Sequence, residues 1–395
     1  MAVRVEKPEF NLRDKLSQLD RRVGSMGGQI LASNSTKEVQ GLIGVGSRNM
    51  LINGGMQIAQ RGTSTNPQGS SGTQYPCVDR WGGQFSAPNN TFTVSQSTDA
   101  PVGHTHSLKF LTNSAVSPSG VHYYHIGQNI EGLNFAQAGW DGTGSFPVGR
   151  TEERQPCTLS FWVKSSNPGK WCVALKGMTS NSNSYLMIYE IEKPNVWEWK
   201  SHTIYPDPGQ TNWHTGTSAA LRIQFDVGTS RVSDLGTGII NRWQNHNTYT
   251  YNNQAFQATR IHGIAGATWY LTGVQFERGA VATPFEHRSF GEELALCMRY
   301  YEGIKMGTGT ALMRTYTNTA GSPTNVSNVG YDYKVEKRVS PTWSLEGNAT
   351  WYPSGTSGMS AYPSTSTCLF QRNDTTHQFL ADGVGDLCGS FSCEL

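Results

Sequence analysis

The sequence predicts a mainly β protein: a jelly-roll or β-sandwich centre, a short N-terminal helical anchor before it, and a small C-terminal β domain after it. Three observations support this. Charged residues are only 15% and hydrophobic residues 36% of the 395, a poor supply for amphipathic helices. Glycine is abundant at 44, and with Pro, Asn and Ser it punctuates the chain as turns between short strands require. Aromatic residues are still plentiful, with 11 Trp, 16 Tyr and 15 Phe, so cores can form and the chain does not read as disordered.

Residues 1–48 differ from the rest. Between Phe10 and Val23, Leu12, Leu16, Leu19 and Val23 recur at helical spacing, which puts them on one face. Asn11 is placed to cap this helix, and Gly24, Gly27 and Gly28 end it. So short a helix is marginal in water alone. It needs a partner: copies of itself in a bundle, another protein's surface, or its own domain. A second short helical piece is expected from Thr36 to Leu42.

Residues 49–288 read as the sandwich. Leu159-Ser-Phe-Trp-Val-Lys164 and Leu221-Arg-Ile-Gln-Phe-Asp226 alternate apolar and polar, the period of a half-buried strand. Val196 falls on one face of its segment, with Trp197 and Trp199 on the other. Trp269 to Phe276 is the strongest strand pattern, with Val274 and Phe276 on one face and Gln275 and Glu277 on the other. Asn53-Gly-Gly55 interrupts an apolar run and predicts a bulge or tight bend. Residues 289–302 form a linking helix, because Ser289 precedes Glu292 and Glu293, a cap with acids where the helix dipole favours them. Residues 303–395 return to short strands.

Several function classes find no support. The net charge is +2 and no cluster of Lys and Arg appears, so no nucleic-acid partner is expected. No run approaches the roughly 18 apolar residues of a membrane span, and no signal peptide is read at the N-terminus; synthesis in a cytoplasm is expected. The seven Cys lack paired metal-ligand spacing and read mostly as buried thiols. His104, His106, His122 and His125 lack convergent acids or thiols, so no metal is expected. No nucleophile elbow or phosphate loop is present, so no catalytic residue and no cofactor is assigned. Asp79-Arg80-Trp81 reads as a structural corner, with Arg80 stacked on Trp81 and paired with an acid, or as a sugar contact.

Three segments carry a resemblance: Glu6 to Asp20, Arg48 to Gly62 followed by Val78-Asp-Arg-Trp81, and Thr272 to Tyr301. The first resembles a leader of cyanophage virion proteins. The others resemble the opening and closing strands of a carbohydrate-binding-module-like jelly roll in phage tail fibres and appendages. The resemblance implies a virion component, usually a homotrimer, that often contacts a host surface. Residues 1–48, through Phe10, Leu12, Leu16 and Leu19, would anchor it to another virion protein of the tail or the capsid. Glycan recognition uses planar aromatics against sugar rings, with amides taking hydroxyls. The richest supply lies between Trp197 and Tyr251, where Trp213, Trp243, Tyr249, Tyr251 and Asn245 are the candidate contacts. Two alternatives stay open: a capsid fibre or decoration protein with no essential ligand, and a polysaccharide depolymerase.

Overall fold

The computed structural model describes residues 48–67, 70–85, 91–116, 124–140, 155–179, 183–207, 213–228, 240–245, 261–306, 311–314, 327–345, 350–352, 359–372, 378–380 and 386–395. The chain divides into two units, Met1–Arg48 and Asn49–Leu395. The expected anchor helix with Phe10, Leu12, Leu16 and Leu19 lies outside the described residues, as does the piece from Thr36 to Leu42.

The sandwich is built from β1 (Ser64–Thr65), β2 (Ser70–Gln74), β3 (Gly82–Phe85), β4 (Phe92–Ser97), β5 (Ser107–Thr112), β6 (Tyr124–Glu131), β7 (Cys157–Ser165), β8 (Gly169–Gly177), β9 (Asn183–Ile191), β10 (Glu198–Ile204), β11 (Ala219–Asp226), β12 (Trp243–Asn245) and β13 (Thr268–Arg278). A short helix α1 (Gly132–Phe135) follows β6. Among the described residues these strands form two antiparallel sheets. One has six strands in the order β1-β4-β5-β13-β7-β10, and the other has seven in the order β12-β9-β8-β11-β6-β3-β2.

Strand alternation fills the space between the sheets. Leu159, Phe161 and Val163 of β7 and Leu221, Ile223 and Phe225 of β11 are fully buried in one core, as their period-2 pattern predicts. Strand β13 is more instructive. Trp269 and Leu271 are odd-numbered, Val274 and Phe276 even-numbered, yet all four share that core. Strict alternation forbids this. The register with β7 shifts between Thr272 and Gln275, and this bulge switches the parity. Gly273 sits in it at φ +60°, a conformation that glycine adopts without strain.

Helix α2 (Phe290–Met298) starts at Ser289, whose side chain accepts from the Glu292 N–H at 3.3 Å. Tyr301 already belongs to strand β14 (Tyr301–Met306). Eight further strands follow: β15 (Ala311–Arg314), β16 (Ser327–Asp332), β17 (Thr342–Leu345), β18 (Thr350–Tyr352), β19 (Met359–Pro363), β20 (Thr367–Arg372), β21 (Gln378–Leu380) and β22 (Asp386–Ser392). They form three small sheets, β14-β22-β17, β15-β21-β18 and β16-β20-β19. Trp343 of β17, Phe370 of β20 and Phe391 of β22 pack ring on ring between two of these sheets, with centroids 4.8–6.2 Å apart. Cys77, Cys157, Cys172, Cys297, Cys368 and Cys393 are buried and take part in no disulfide among the described residues.

Candidate functional site

Among the described residues of Asn49–Leu395, three places hold the segments and side chains that bear on a binding site. The first joins the opening and closing segments. Asn49 holds β13 with its side chain, donating to the Val274 carbonyl at 3.0 Å and accepting from the Phe276 N–H at 3.0 Å. The chain then turns at Asn53, whose φ is +58°. Gly54 passes so close to β13 that a Cβ there would meet the Val274 carbonyl oxygen at 2.1 Å, so the Gly pair is a tight bend against a neighbouring backbone.

Arg80 is 1% exposed, and its guanidinium lies 3.5 Å from the centre of the Tyr300 ring. It pairs with Glu394 and donates to the Asn129 carbonyl at 2.8 Å. The corner expected at Asp79-Arg80-Trp81 thus has different partners: the stacking ring is Tyr300 rather than Trp81. Trp81 is buried and donates to the Asn53 carbonyl. Arg299 and Tyr300 both donate to the buried Glu131 carboxylate. The charges of this junction pair with one another, and removing one partner of so buried a pair would leave an uncompensated charge.

The second place holds the predicted contacts Trp213 and Trp243. Trp213 is 3% exposed and packs against Phe135, Trp140 and Trp243, with centroids 5.0, 5.6 and 6.0 Å away. Trp243 is half-buried, and its indole N–H donates to the Tyr205 carbonyl at 2.7 Å. Asn245 lies opposite Asn183 at the end of β12; its side chain lies outside the described residues, as do Tyr249 and Tyr251.

The third place is the outer face of the six-stranded sheet. Trp199 of β10 stands opposite Trp162 of β7, which stands opposite Thr272 of β13. Trp199 is 46% exposed and Trp162 half-buried. The aromatic line continues past the bulge. A Cβ on Gly273 would meet the His104 ring at 2.7 Å and the Trp162 ring at 3.0 Å, so the bulge gives both rings room to lie on the backbone. His104 then meets Phe285 and His287, with ring centroids 5.0 and 5.5 Å away. Burial, helped by His287, lowers the His104 pKa to about 4. Phe285 is half-buried in this surface group.

One step along the same face, Tyr270 lies between Lys109 of β5 and Lys164 of β7 in register. The two ammoniums stand 5.6 and 4.3 Å from the centre of its ring, cation–π geometry. Lys164 pairs with Asp99, and the Trp197 indole donates to Asp99 at 3.1 Å. Burial acts to raise the Asp99 pKa, but the hydrogen bonds from Lys164 and Trp197 hold it below the ordinary carboxylate range. Trp197 and Trp199 share this face, as expected, whereas Trp162 and Tyr270 were not singled out. Their signal was an aromatic at the outward position of an alternating strand. Chemically, the face offers ring surface at Trp199 and Trp162, beside a carboxylate, two ammoniums and an indole N–H.

Among the described residues no group of three or more His, Cys, Asp or Glu is placed to hold a metal ion, and no helix is long and apolar enough to cross a membrane.

No family model and no curated protein matches the sequence. Solved structures do match it at low identity. The enzymatically active domain of bacteriophage CBA120 tailspike protein 4 is 13% identical over 58% of this chain, with a TM-score of 0.29. The match spans only 21% of that tailspike chain's length. A family 11 carbohydrate-binding module from Clostridium thermocellum, in complex with a β-1,3-1,4-mixed-linked tetrasaccharide, is 9% identical over 56% of this chain and 98% of its own, with a TM-score of 0.26. TmCBM61, in complex with β-1,4-galactotriose, is 14% identical over 59% of this chain and 99% of its own, also with a TM-score of 0.26. At these identities and TM-scores the likeness carries no residue, ligand or role over to this chain.

Proposed function

We propose that this chain is a subunit of a phage virion appendage, a fibre of the tail or the head. It attaches to the particle through residues 1–48 and binds host-surface glycan without cleaving it. The virion half of this reading rests on the three segments that resemble phage fibre proteins. The binding half is carried by one observation: Trp199 and Trp162 line up across neighbouring strands on an outer sheet face, with Trp199 46% exposed. Neighbouring strands are spaced by about 4.8 Å, so two such rings make one platform that the faces of sugar rings can cover. A homotrimer would repeat the platform, and repeated weak sites hold a surface by avidity.

Antibody against this chain, applied to purified particles of the phage that encodes it and viewed by electron microscopy, tests the virion claim. Label on tail fibres or head fibres supports it, and unlabelled particles overturn it. Light scattering at micromolar concentration reads the assembly, and a monomer there removes the trimer. Binding of the chain to host cells without release of reducing sugar supports the glycan reading. Sugar release points to a depolymerase instead, and firm attachment to particles without any cell binding points to a decoration protein.

A further inference from the structure

We infer that the aromatic face of the six-stranded sheet takes an acidic polysaccharide, one whose sugar rings carry carboxylates. The inference rests on the glycan reading above and adds the charge of the ligand. Tyr270 is flanked in register by Lys109 and Lys164. Lys164 is 7% exposed and committed to Asp99. Asp99 feels the charge of Lys109 but is already held by Lys164 and the Trp197 indole. The Lys109 ammonium is therefore the positive charge in excess at Tyr270. It stands over that ring on the face that presents Trp162 and Trp199. A uronic acid bears its carboxylate on the rim of the ring, beside the two apolar faces. In a polymer stacked on Trp162 and Trp199, a further sugar carried across β13 brings such a carboxylate toward Lys109, which stands on β5, two strands from Trp162. A charge-assisted hydrogen bond there is stronger than one to a neutral hydroxyl, though solvent limits the gain.

The test compares two polymers with one backbone: polygalacturonate, and the same polymer with its carboxylates methyl-esterified. Binding of each is measured by calorimetry for the parent chain, Lys109→Met and Trp199→Ala. The parent is expected to prefer the acidic polymer by about two- to five-fold per site, the range of an exposed ion pair. The preference should shrink as salt rises, because screening shortens the reach of the charge. Lys109→Met should bind both polymers equally, and Trp199→Ala should weaken both while keeping their ratio. Equal binding of the two polymers by the parent, or an unchanged ratio in Lys109→Met, overturns the charge inference and leaves the glycan reading standing. Failure of the parent to bind either polymer overturns the acidic-polysaccharide inference, while binding to host cells decides the glycan reading separately.

Discussion

Two groups of tryptophans in this molecule have opposite fates. Trp140, Trp213 and Trp243 close on one another in tilted and edge-to-face pairs, with Phe135 against Trp140 and Trp213, and Trp140 and Trp213 are almost wholly buried. Trp162 and Trp199 sit in regular strands, yet their side chains face outward. The contrast teaches that the kind of segment says little about exposure. Trp140 and Trp213 lie outside the strands and are buried all the same, in the core that the two sheets share, because the space between packed sheets must be filled by whatever segment borders it. A tryptophan in a strand is turned out whenever its parity is that of the polar residues.

The largest expected effect sharpens the buried side of this contrast. Trp213→Ala leaves a hole among three aromatic rings and should cost about 3–5 kcal/mol of stability, read from the urea midpoint at unchanged slope. A loss under 1 kcal/mol would show that the cluster does not support the fold. Gly273→Ala probes the boundary between the two groups. It forces φ +60° on a side chain aimed at the His104 and Trp162 rings, and should cost about 1–3 kcal/mol. On the proposed reading it should also displace Trp162 and so reduce glycan affinity, an effect that Trp213→Ala, if it stays folded, should not show. Trp199→Ala inverts the pattern. Stability should stay within about 0.5 kcal/mol, while on the proposed reading glycan affinity drops by about ten-fold, the effect of losing one ring contact worth roughly 1.4 kcal/mol. A destabilised but binding-competent Trp199→Ala would collapse the distinction.

Much of this was legible in the sequence, for physical reasons. The strands β7 and β11 could be read because alternation is a local property, and so could the Ser289 cap, which needs only residues three positions apart. The bend at Gly54 showed as a Gly pair, but not the approach to Val274 that requires it. Arg80 was expected to find an acid and a ring. Neither partner was readable, since Glu394 lies 314 residues away. The bulge in β13 was hidden for a related reason: the apolar residues on its two sides each alternate correctly, and only the shared core reveals that the parity changes. At the candidate site, Trp197 and Trp199 were read onto one face, but the partners that make it a platform come from β7 and β13. Those strands become its neighbours only when the sheet is assembled.

The smallest expected effect concerns pH, and it too separates the two groups, because the outward line contains a titratable ring. His104 has its pKa lowered to about 4 by burial and by His287, against about 6.5 in an unfolded chain. Between those values the unfolded chain binds a proton at His104 that the folded chain does not. Stability contributed here is therefore fully present above about pH 6.5 and declines as the pH falls toward 4. Asp79 acts in the opposite sense. Burial raises its pKa from 3.8 to about 6, against Arg61 and Gln60, so the folded chain takes up that proton first and gains stability over part of the same range. The net slope of the parent is thus a poor reporter, and the difference between the parent and His104→Gln is the better one. In urea titrations at pH 7 and pH 4.5, any stability advantage of the parent over His104→Gln should shrink at the lower pH, or turn into a deficit. Glutamine does not titrate, and the ring packing it loses against Phe285 and His287 is lost at both pH values, so it cancels in the comparison. A gap that stays constant between the two pH values would mean that His104 takes up its proton as readily folded as unfolded. It would also mean that the ring lies open to water rather than pressed onto the Gly273 backbone with Phe285 and His287.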